Sequence, residues 1–294
     1  MGTEAAQETV TATVGGMKKD KRGTPFYNVI GEDGSLICRV GHYSDAVLEE
    51  TDGAQRLLDY IPVFSAELEK GKWGGFVLDS VTSFADSAFL YNEHTMNSDA
   101  KDPRQWYAAE SKTTADVVTK SLPGFPCHVG VSFHIHRHKV EQDGEKLHSV
   151  RQPYVPGKRM EETKRVASAW PELWRIFVKT DETRARVLQT DGDGKYQCGT
   201  CIGIPTNLTI PEKLPKDFLW KGGNKPDEMH VAVMADPHVG KSTFLAQLFK
   251  QLCQPLPFYV ALFDARGKDA AYRRLGKVEA RQLVNYAPCW IGVA

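Results

Sequence analysis

The feature that most constrains the fold is a glycine-lysine turn between an apolar strand and an amphipathic helix. Residues 230–234, HVAVM, are typical of a buried strand, and residues 242–252, STFLAQLFKQL, carry apolar side chains at helical spacing. Between them, Ala235, Gly240 and Lys241 follow the template G-x-x-x-x-G-K-[ST], with alanine at its first position. Successive backbone N–H groups at the start of such a helix form a nest for an anion. The stretch therefore predicts a phosphate-binding loop.

Three residues of this loop have separate expected roles. Lys241 would reach the β- and γ-phosphates of a nucleotide, and the hydroxyl group of Ser242 would ligate Mg²⁺. Gly240 is the position where the backbone must approach phosphate closely. ATP and Mg²⁺ are therefore the cofactors that the motif predicts. The predicted phosphate site comprises Ala235, Asp236, Pro237, His238, Val239, Gly240, Lys241, Ser242 and Thr243.

An acidic motif that would complete this site lies far upstream of the loop. A P-loop ATPase also needs an acidic residue at the end of a neighbouring buried strand, where it holds Mg²⁺ through water. Residues 74–84, GGFVLDSVTSF, supply Asp79 after an apolar run, so the two motifs come in reversed order. Two arrangements would explain this reversed order: a second, shortened domain, or a single domain that is circularly permuted. We favour permutation, because residues 228–294 are too few to close an α/β ATPase core, and permutation is tolerated where chain termini lie close together.

The rest of the chain alternates predicted strands and helices, which is typical of an α/β fold with a mainly parallel sheet. We expect a flexible N-terminal arm over residues 1–22 and one domain over 23–294, with the acidic motif in 23–220 and the phosphate loop in 228–294. Several elements are predicted from local patterns. They are a hairpin around Asp33-Gly34, a helix over 46–73 broken near Pro62, a polar segment over 85–115, a helix ending near Leu122, a strand over 128–138, a loop over 140–160, two antiparallel strands over 173–196 and a linker over 214–228.

Composition excludes several classes of function. Lysine plus arginine equals aspartate plus glutamate at 37 each, so no global basic field attracts nucleic acid. No apolar run is long enough to span a bilayer, so we expect no membrane partner. Six cysteines in 294 residues do not indicate a disulfide scaffold, and the first residues lack the pattern of a secretory signal. A cytoplasmic location is therefore expected.

Four blocks of sequence together resemble RecA-like recombination ATPases. Residues 258–276, FYVALFDARGKDAAYRRLG, are similar to the stretch that follows the phosphate loop in that family. Residues 76–84, FVLDSVTSF, resemble its second acidic motif, and residues 131–136, VSFHIH, resemble the strand whose last polar residue senses the γ-phosphate. Segments within 153–196 are similar to the closing part of phage-encoded RecA-like ATPases linked to single-strand annealing.

The resemblance covers most of the chain and implies a fold and further site residues. It implies a three-layer RecA-like core with a mainly parallel sheet and additional antiparallel hairpins, circularly permuted. It places Asp269 and Tyr272 where the family contacts adenine, with Tyr272 stacking on the base. His134 or His136 would sense the γ-phosphate, and the sequence does not choose between them.

The residue that activates the attacking water is open at this stage. The position of the family's catalytic glutamate is occupied by Arg266 in this chain. Asp264 is a candidate substitute as general base, and Glu93 and Glu110 are alternatives.

Phage relatives also tend to carry a lysine or arginine finger that acts in trans on a neighbouring subunit. Here the candidates are Lys179, Arg184 and Arg186. A zinc site made of the histidines of 134–138 with Cys198 and Cys201 is a further alternative, although one C-x-x-C is only half of a zinc cluster.

The resemblance implies Mg²⁺-dependent ATP hydrolysis in phage DNA recombination, annealing or genome handling. A homo-oligomer, with single-stranded or duplex DNA as partner, would be the working form. Two alternatives from other classes are a nucleotide-dependent binding or scaffold protein that hydrolyses little ATP, and a small-molecule kinase.

Overall fold

The structure, a computed structural model, describes most of the chain. The described residues are 13–14, 17–20, 22–45, 50–142, 145–154, 169–193, 196, 198–202, 204–216, 218–220, 225–263 and 269–279. For 136–142 and 145–154 only the backbone and its pairing are described.

One mixed sheet runs through the described residues. Its strands are β1 Thr13–Val14, β2 Met17–Lys19, β3 Pro25–Ile30, β4 Leu36–His42, β5 Gly75–Asp79, β6 His128–Gln142, β7 Glu145–Tyr154, β8 Glu172–Val178, β9 Arg186–Gln189, β10 Leu208–Ile210, β11 His230–Ala235, β12 Phe258–Leu262 and β13 Lys277–Val278. They lie in the order β1-β2-β3-β4-β12-β5-β6-β11-β8-β9-β10, with β13 beside β3 and β7 beside β6. The six strands from β4 to β8 in this order are parallel to one another. The predicted α/β class with a mainly parallel sheet is therefore confirmed.

Helices flank this sheet. The described α-helices are α1 Gly53–Glu69, α2 Val81–Tyr91, α3 Arg104–Asp116, α4 Lys241–Cys253 and α5 Asp269–Arg273. Two π-helical turns, Asn92–Met96 and Val117–Ser121, continue α2 and α3. No helix of the described residues combines the length and the apolar character needed to cross a bilayer.

The core lies in two layers because successive strand residues point to opposite faces of the sheet. On one face, Val77 and Val233 belong to the same buried cluster as Leu245 of α4. On the other face, Phe76 packs in a second cluster with Phe64 of α1. Helices on both faces of a mainly parallel sheet are compatible with a three-layer α/β fold.

The two antiparallel hairpins predicted from local patterns are confirmed. β3 and β4 pair around a turn in which Gly34 has a φ of 81°, a value that glycine adopts without a steric penalty. β8 and β9 pair as the second hairpin. Strand–helix pairs also form where the sequence predicts them, as β11 with α4 and β12 with α5.

Four local predictions are wrong. α1 continues through Pro62, whose ring lies on the exposed side of the helix. The polar segment 85–115 contains α3 and most of α2, because α3 buries polar side chains and so lacks an apolar stripe. The predicted loop 140–160 contains β7, which pairs with the distal part of β6. The predicted linker 214–228 contributes buried side chains to the core, namely Leu214, Phe218 and Leu219.

Part of the predicted N-terminal arm belongs to the sheet. Within residues 1–22, the structure describes strands β1 and β2, and β2 pairs with β3. The ammonium group of Lys18 forms an ion pair with Glu279 at 3.1 Å, which joins this strand to the segment after β13.

Candidate functional site

Four parallel strands end side by side at one edge of the sheet. β4 ends at His42, β12 at Leu262, β5 at Asp79 and β11 at Ala235. β6 runs between β5 and β11 and continues beyond this edge as a hairpin with β7. The predicted acidic residue and the loop 236–240 that follows Ala235 therefore lie at the same edge, although Asp79 is distant from the loop along the chain. Ligands of open α/β sheets bind at this carboxyl edge.

The acidic residue and the loop are separated by one intervening strand. Adjacent strands lie about 4.8 Å apart, so the backbones of Asp79 and Ala235 are on the order of 10 Å apart. The ammonium nitrogen of Lys241 lies 3.1 Å from the carbonyl oxygen of Ala235. Asp79 and the ammonium group of Lys241 thus lie at the same sheet edge, with one strand between them.

Asp79 points to the same face of the sheet as the helix that follows the loop. Val77, two residues before it, is in the buried cluster that contains α4. Gly130 of β6 also faces α4, since a Cβ atom added to it would lie 2.6 Å from the ring of Phe249 in α4. Ser132, two residues further along β6, donates a hydrogen bond to Asp79, which fixes both side chains on this face.

The loop contains two residues in left-handed backbone conformation, which is typical of anion nests. Gly240, the N-cap of α4, has a φ of 104°, and His238 has a φ of 63°. Left-handed residues next to right-handed ones direct successive N–H groups toward one point. A positive φ at a residue other than glycine is uncommon and concentrates at functional sites. Asp236, Pro237 and His238 are exposed, so a ligand has access to this nest from solvent.

Lys241 and Ser242 are buried at the start of α4. Lys241 is 3 % exposed, and its ammonium group donates to the carbonyl oxygens of Ala235 at 3.1 Å and Asp236 at 3.2 Å. A buried ammonium group requires such acceptors to offset its lost hydration. The side chain therefore bends back over its own loop, where a bound phosphate would offer it stronger acceptors.

The carboxylate of Asp79 is held at both of its oxygens. The residue is fully buried. Ser132 donates to Oδ1 at 2.5 Å, and the hydroxyl group of Tyr272 donates to Oδ2 at 3.0 Å. Burial and the neighbouring Asp79 raise the pKa of Tyr272 well above its ordinary value, so the phenol keeps its proton and acts as the donor.

The two residues predicted to contact adenine have other partners here. The ring of Tyr272 has no exposed surface, so stacking on a base would require the ring to move out of the core. Asp269 forms an ion pair with Arg273 at 2.8 Å within α5, and its carbonyl oxygen accepts a hydrogen bond from Tyr27.

The two candidate sensor histidines differ in position. His134 pairs with Ala235, the last residue before the loop, and its backbone N–H donates to the hydroxyl group of Thr82 at 3.1 Å. His136 lies two residues further along β6, past the end of β11, where its pairing partner is Gln152 of β7. Of the two, His134 lies directly beside the loop.

Of the candidates for the catalytic acid, the structure describes only Glu93 and Glu110. Asp264 and Arg266 lie outside the described residues. Glu93 is in the π-helical turn after α2, beside His94 at 3.7 Å. Glu110 is fully buried in α3, where it accepts hydrogen bonds from the hydroxyl groups of Ser111 and Thr114.

One of the three candidate basic residues contacts the loop. Lys179 and Arg184 are exposed in the turn between β8 and β9. The guanidinium group of Arg186, in contrast, lies against Gly240, because a Cβ atom on that glycine would be 2.8 Å from Nη1.

A buried histidine that sequence reasoning missed lies at the end of β4. His42 is 3 % exposed, and neither ring nitrogen has a hydrogen-bond partner among the described residues. Burial lowers its pKa to about 4, against the opposing effect of Asp269, while Arg273 lowers it further. Its ring lies 5.6 Å from that of Tyr27. Its place at the end of an apolar strand, like that of Asp79, is the signal that could have identified it.

The cysteine pair does not form a metal site with its described neighbours. Cys198 is largely buried, which raises the pKa of its thiol to about 12, and Cys201 is exposed. The backbone N–H of Cys201 donates to the buried carboxylate of Glu172, which fixes this turn without metal. Among the described residues, no group of three histidine, cysteine, aspartate or glutamate side chains is arranged around a common point.

The residues at the sheet edge fit a magnesium-bound nucleotide chemically. A nest of N–H groups, an ammonium group and a hydroxyl group at the start of α4 suit phosphate and its metal, and Asp79 on the same face supplies a carboxylate. Comparisons of the chain with protein families, with curated proteins and with solved structures found no match.

Proposed function

We propose that the chain is a P-loop ATPase of the RecA-like class, which binds ATP with Mg²⁺ at the carboxyl edge of its sheet and hydrolyses the γ-phosphate. One observation carries this proposal. Asp79 and Lys241, which are remote in sequence, lie at the same sheet edge and on the same face, with one strand between them. An anion nest alone would indicate phosphate, whereas the added carboxylate indicates phosphate together with a metal ion.

Each residue of the site has a role in this proposal. The N–H groups of residues 238–242 and the ammonium group of Lys241 would bind the phosphate chain, for which Lys241 exchanges its carbonyl acceptors for phosphate oxygens. Ser242 and Asp79 would hold Mg²⁺, which supplies positive charge against the charge that develops on the phosphate oxygens. Ser132 and Tyr272 orient the carboxylate of Asp79.

The circular permutation is also part of the proposal, and the sheet supports it. β11 and β12, which flank the loop and its helix in sequence, are not neighbours in space. β5 and β6, from the other half of the chain, lie between them. Strands of the phosphate-loop segment and of the acidic segment thus belong to one sheet. This arrangement is expected of a single domain whose chain order has been circularly permuted.

The wider role rests on the sequence resemblance. We propose that the ATPase serves phage DNA recombination, annealing or genome handling in the host cytoplasm, as a homo-oligomer that acts on single-stranded or duplex DNA. A test with both DNA forms is therefore part of the experiment below.

A second candidate is a nucleotide-dependent binding protein that hydrolyses little ATP. It is favoured by Arg266, which stands where the resemblance expects the catalytic glutamate, and by the burial of Glu110 within α3. The two candidates predict the same binding site and differ in turnover.

The experiment measures MgATP binding by calorimetry and phosphate release, for the wild type and for Lys241→Ala and Asp79→Asn. Asp59→Asn, on the exposed side of α1, is the matched control for loss of an acid. The proposal predicts that wild type and control bind and release phosphate, and that Lys241→Ala loses binding. Asp79→Asn should lose Mg²⁺-dependent turnover by about 100-fold or more.

The outcomes separate the candidates. If the wild type binds MgATP but releases no more phosphate than Lys241→Ala, with or without DNA, the chain is a nucleotide-dependent binding protein. ADP formation that requires an added small-molecule acceptor selects a kinase. Equal binding by wild type and Lys241→Ala contradicts both the site and the proposed function.

A further inference from the structure

The guanidinium group of Arg186 lies against the phosphate loop of its own chain. A Cβ atom built on Gly240 would be 2.8 Å from Nη1 of Arg186, 3.6 Å from Cδ and 3.9 Å from Cζ. The end of the arginine side chain therefore covers the N-cap residue of α4. Gly240 is the position where the backbone must approach phosphate.

Strand register explains why an arginine of β9 reaches this loop. β8 is parallel to β11, and Arg175 of β8 lies beside Met234. β8 continues for three more residues to Val178, which pairs with Arg186 in the hairpin. Arg186 therefore lies beyond the end of β11, level with the loop, and its position is fixed by two strands and not by a flexible segment.

The position is electrostatically unfavourable without an anion. The N-terminus of α4 carries a partial positive charge, and the ammonium group of Lys241 lies in the same loop. Arg186 makes neither an ion pair nor a side-chain hydrogen bond with any other described residue, although the carboxylate of Asp236 belongs to this loop. Two cationic side chains and the helix N-terminus thus lie around one loop, while the Asp79 carboxylate at the same sheet edge is engaged by Ser132 and Tyr272.

We infer that Arg186 is a phosphate ligand in cis, binding the phosphate chain of the nucleotide held by its own loop. This inference rests on the proposed function. A guanidinium group offers paired N–H donors that match two phosphate oxygens, which a lysine cannot reproduce. The role differs from that of a finger supplied in trans, because the contact is with Gly240 of the same chain.

The first experiment compares MgATP and MgADP affinity, by calorimetry, for wild type, Arg186→Ala, Arg186→Lys and the control Lys70→Ala. Lys70 is an exposed cation at the C-terminal end of α1, outside the proposed site. Arg186→Ala should weaken MgATP binding about tenfold or more, because it removes charge-assisted hydrogen bonds to phosphate. The affinity of Arg186→Lys should lie between those of Arg186→Ala and wild type, and Lys70→Ala should stay within about twofold of wild type. Thermal unfolding of each variant shows whether the fold is kept.

The second experiment separates action in cis from action in trans. Arg186→Ala protein is mixed with Lys241→Ala protein, which keeps Arg186 but lacks a working loop. A cis ligand predicts that the mixture binds MgATP no better than Arg186→Ala alone. Recovery of wild-type affinity at the Arg186→Ala sites would show action in trans and overturn the inference.

The remaining outcomes are also decisive. A folded Arg186→Ala variant that binds MgATP as tightly as wild type overturns the inference and leaves the proposed function standing. Absence of MgATP binding by wild type and Lys70→Ala overturns the proposed function and the inference with it.

Discussion

The hydroxyl group of Tyr272 donates a hydrogen bond to Oδ2 of Asp79 at 3.0 Å, although the two residues are 193 positions apart in the chain. Both side chains are fully buried. Through this bond the short helix α5, which follows β12, is connected to the end of β5. The carboxylate that we propose to hold Mg²⁺ therefore has its orientation set by a residue of the phosphate-loop half of the chain.

Tyr272→Phe removes this donor and leaves the ring in place. We expect the variant to lose about 1–2 kcal/mol of unfolding free energy, because a buried carboxylate oxygen loses its partner. We also expect half-maximal ATP turnover to require more Mg²⁺, because Asp79 is then held only by Ser132. Urea denaturation and a magnesium titration of phosphate release measure the two effects.

The matched control is Tyr43→Phe, which breaks the buried hydroxyl pair of Tyr43 and Tyr259 in the opposite layer. It should lower stability without changing the magnesium requirement. If Tyr272→Phe and Tyr43→Phe had the same magnesium titration as wild type, Tyr272 would not position Asp79.

Gly240→Ala combines two separate penalties. The φ of 104° is strained for alanine, and the added Cβ would lie 2.8 Å from Arg186. Gly34→Ala isolates the first penalty, since Gly34 has a φ of 81° and a Cβ atom added there would meet nothing within 4 Å. We expect Gly34→Ala to cost about 1–2 kcal/mol of unfolding free energy. Gly240→Ala should cost a similar amount, because the end of the Arg186 side chain can move away from the added Cβ, but it should abolish MgATP binding.

Chemical denaturation and calorimetry measure the two variants side by side. Nucleotide binding should be unchanged in Gly34→Ala. MgATP binding retained in Gly240→Ala would contradict a close approach of phosphate to the backbone at Gly240.

The buried His42 makes stability depend on pH. Its folded-state pKa of about 4 is below the value of 6.5 for an exposed histidine, so the unfolded chain binds the proton more tightly. The stability from neutral His42 is therefore fully present above pH 6.5 and is lost as pH falls toward 4. Between pH 7 and pH 5 this single group should cost about 2 kcal/mol of unfolding free energy.

His42→Leu should remove this contribution. The fall in unfolding free energy between pH 7 and pH 5, measured by urea denaturation, should be smaller in His42→Leu than in wild type by that amount. His128, whose pKa burial also lowers to about 4, remains in the variant and should preserve part of the slope. An unchanged slope in His42→Leu would mean that His42 is not held neutral in the folded protein.

Local signals predicted the elements that form the site, while contacts between distant residues could not be predicted. The β11–loop–α4 unit is recognisable because strand pattern, Gly240 and helical spacing agree within a few residues. The helix predicted to end near Leu122 is present, but its beginning at Arg104 was missed, because α3 buries Glu110, Ser111 and Thr114 and its inward face has no apolar periodicity. β7 was missed because residues 140–160 are rich in glycine, proline and charged residues and lack the alternation that predicts a strand.

The same distinction holds within the site. Asp79 was found because it ends an apolar strand, whereas Ser132 was not, because a serine within a strand has no distinctive pattern. The contact of Tyr272 with Asp79 depends on where α5 packs, and no local sequence rule specifies that packing. The sequence does not distinguish Arg186 from Lys179 and Arg184. The strand register of the structure places Arg186 beside Gly240.

The most direct test of the central claim is an experimental structure with Mg²⁺ and a non-hydrolysable ATP analogue. We predict that the phosphates lie against residues 238–242, with the metal ion between the Ser242 hydroxyl group and the Asp79 carboxylate. A nucleotide bound elsewhere, or a metal ion at the loop with the Asp79 carboxylate turned to the opposite face of the sheet, would contradict the account.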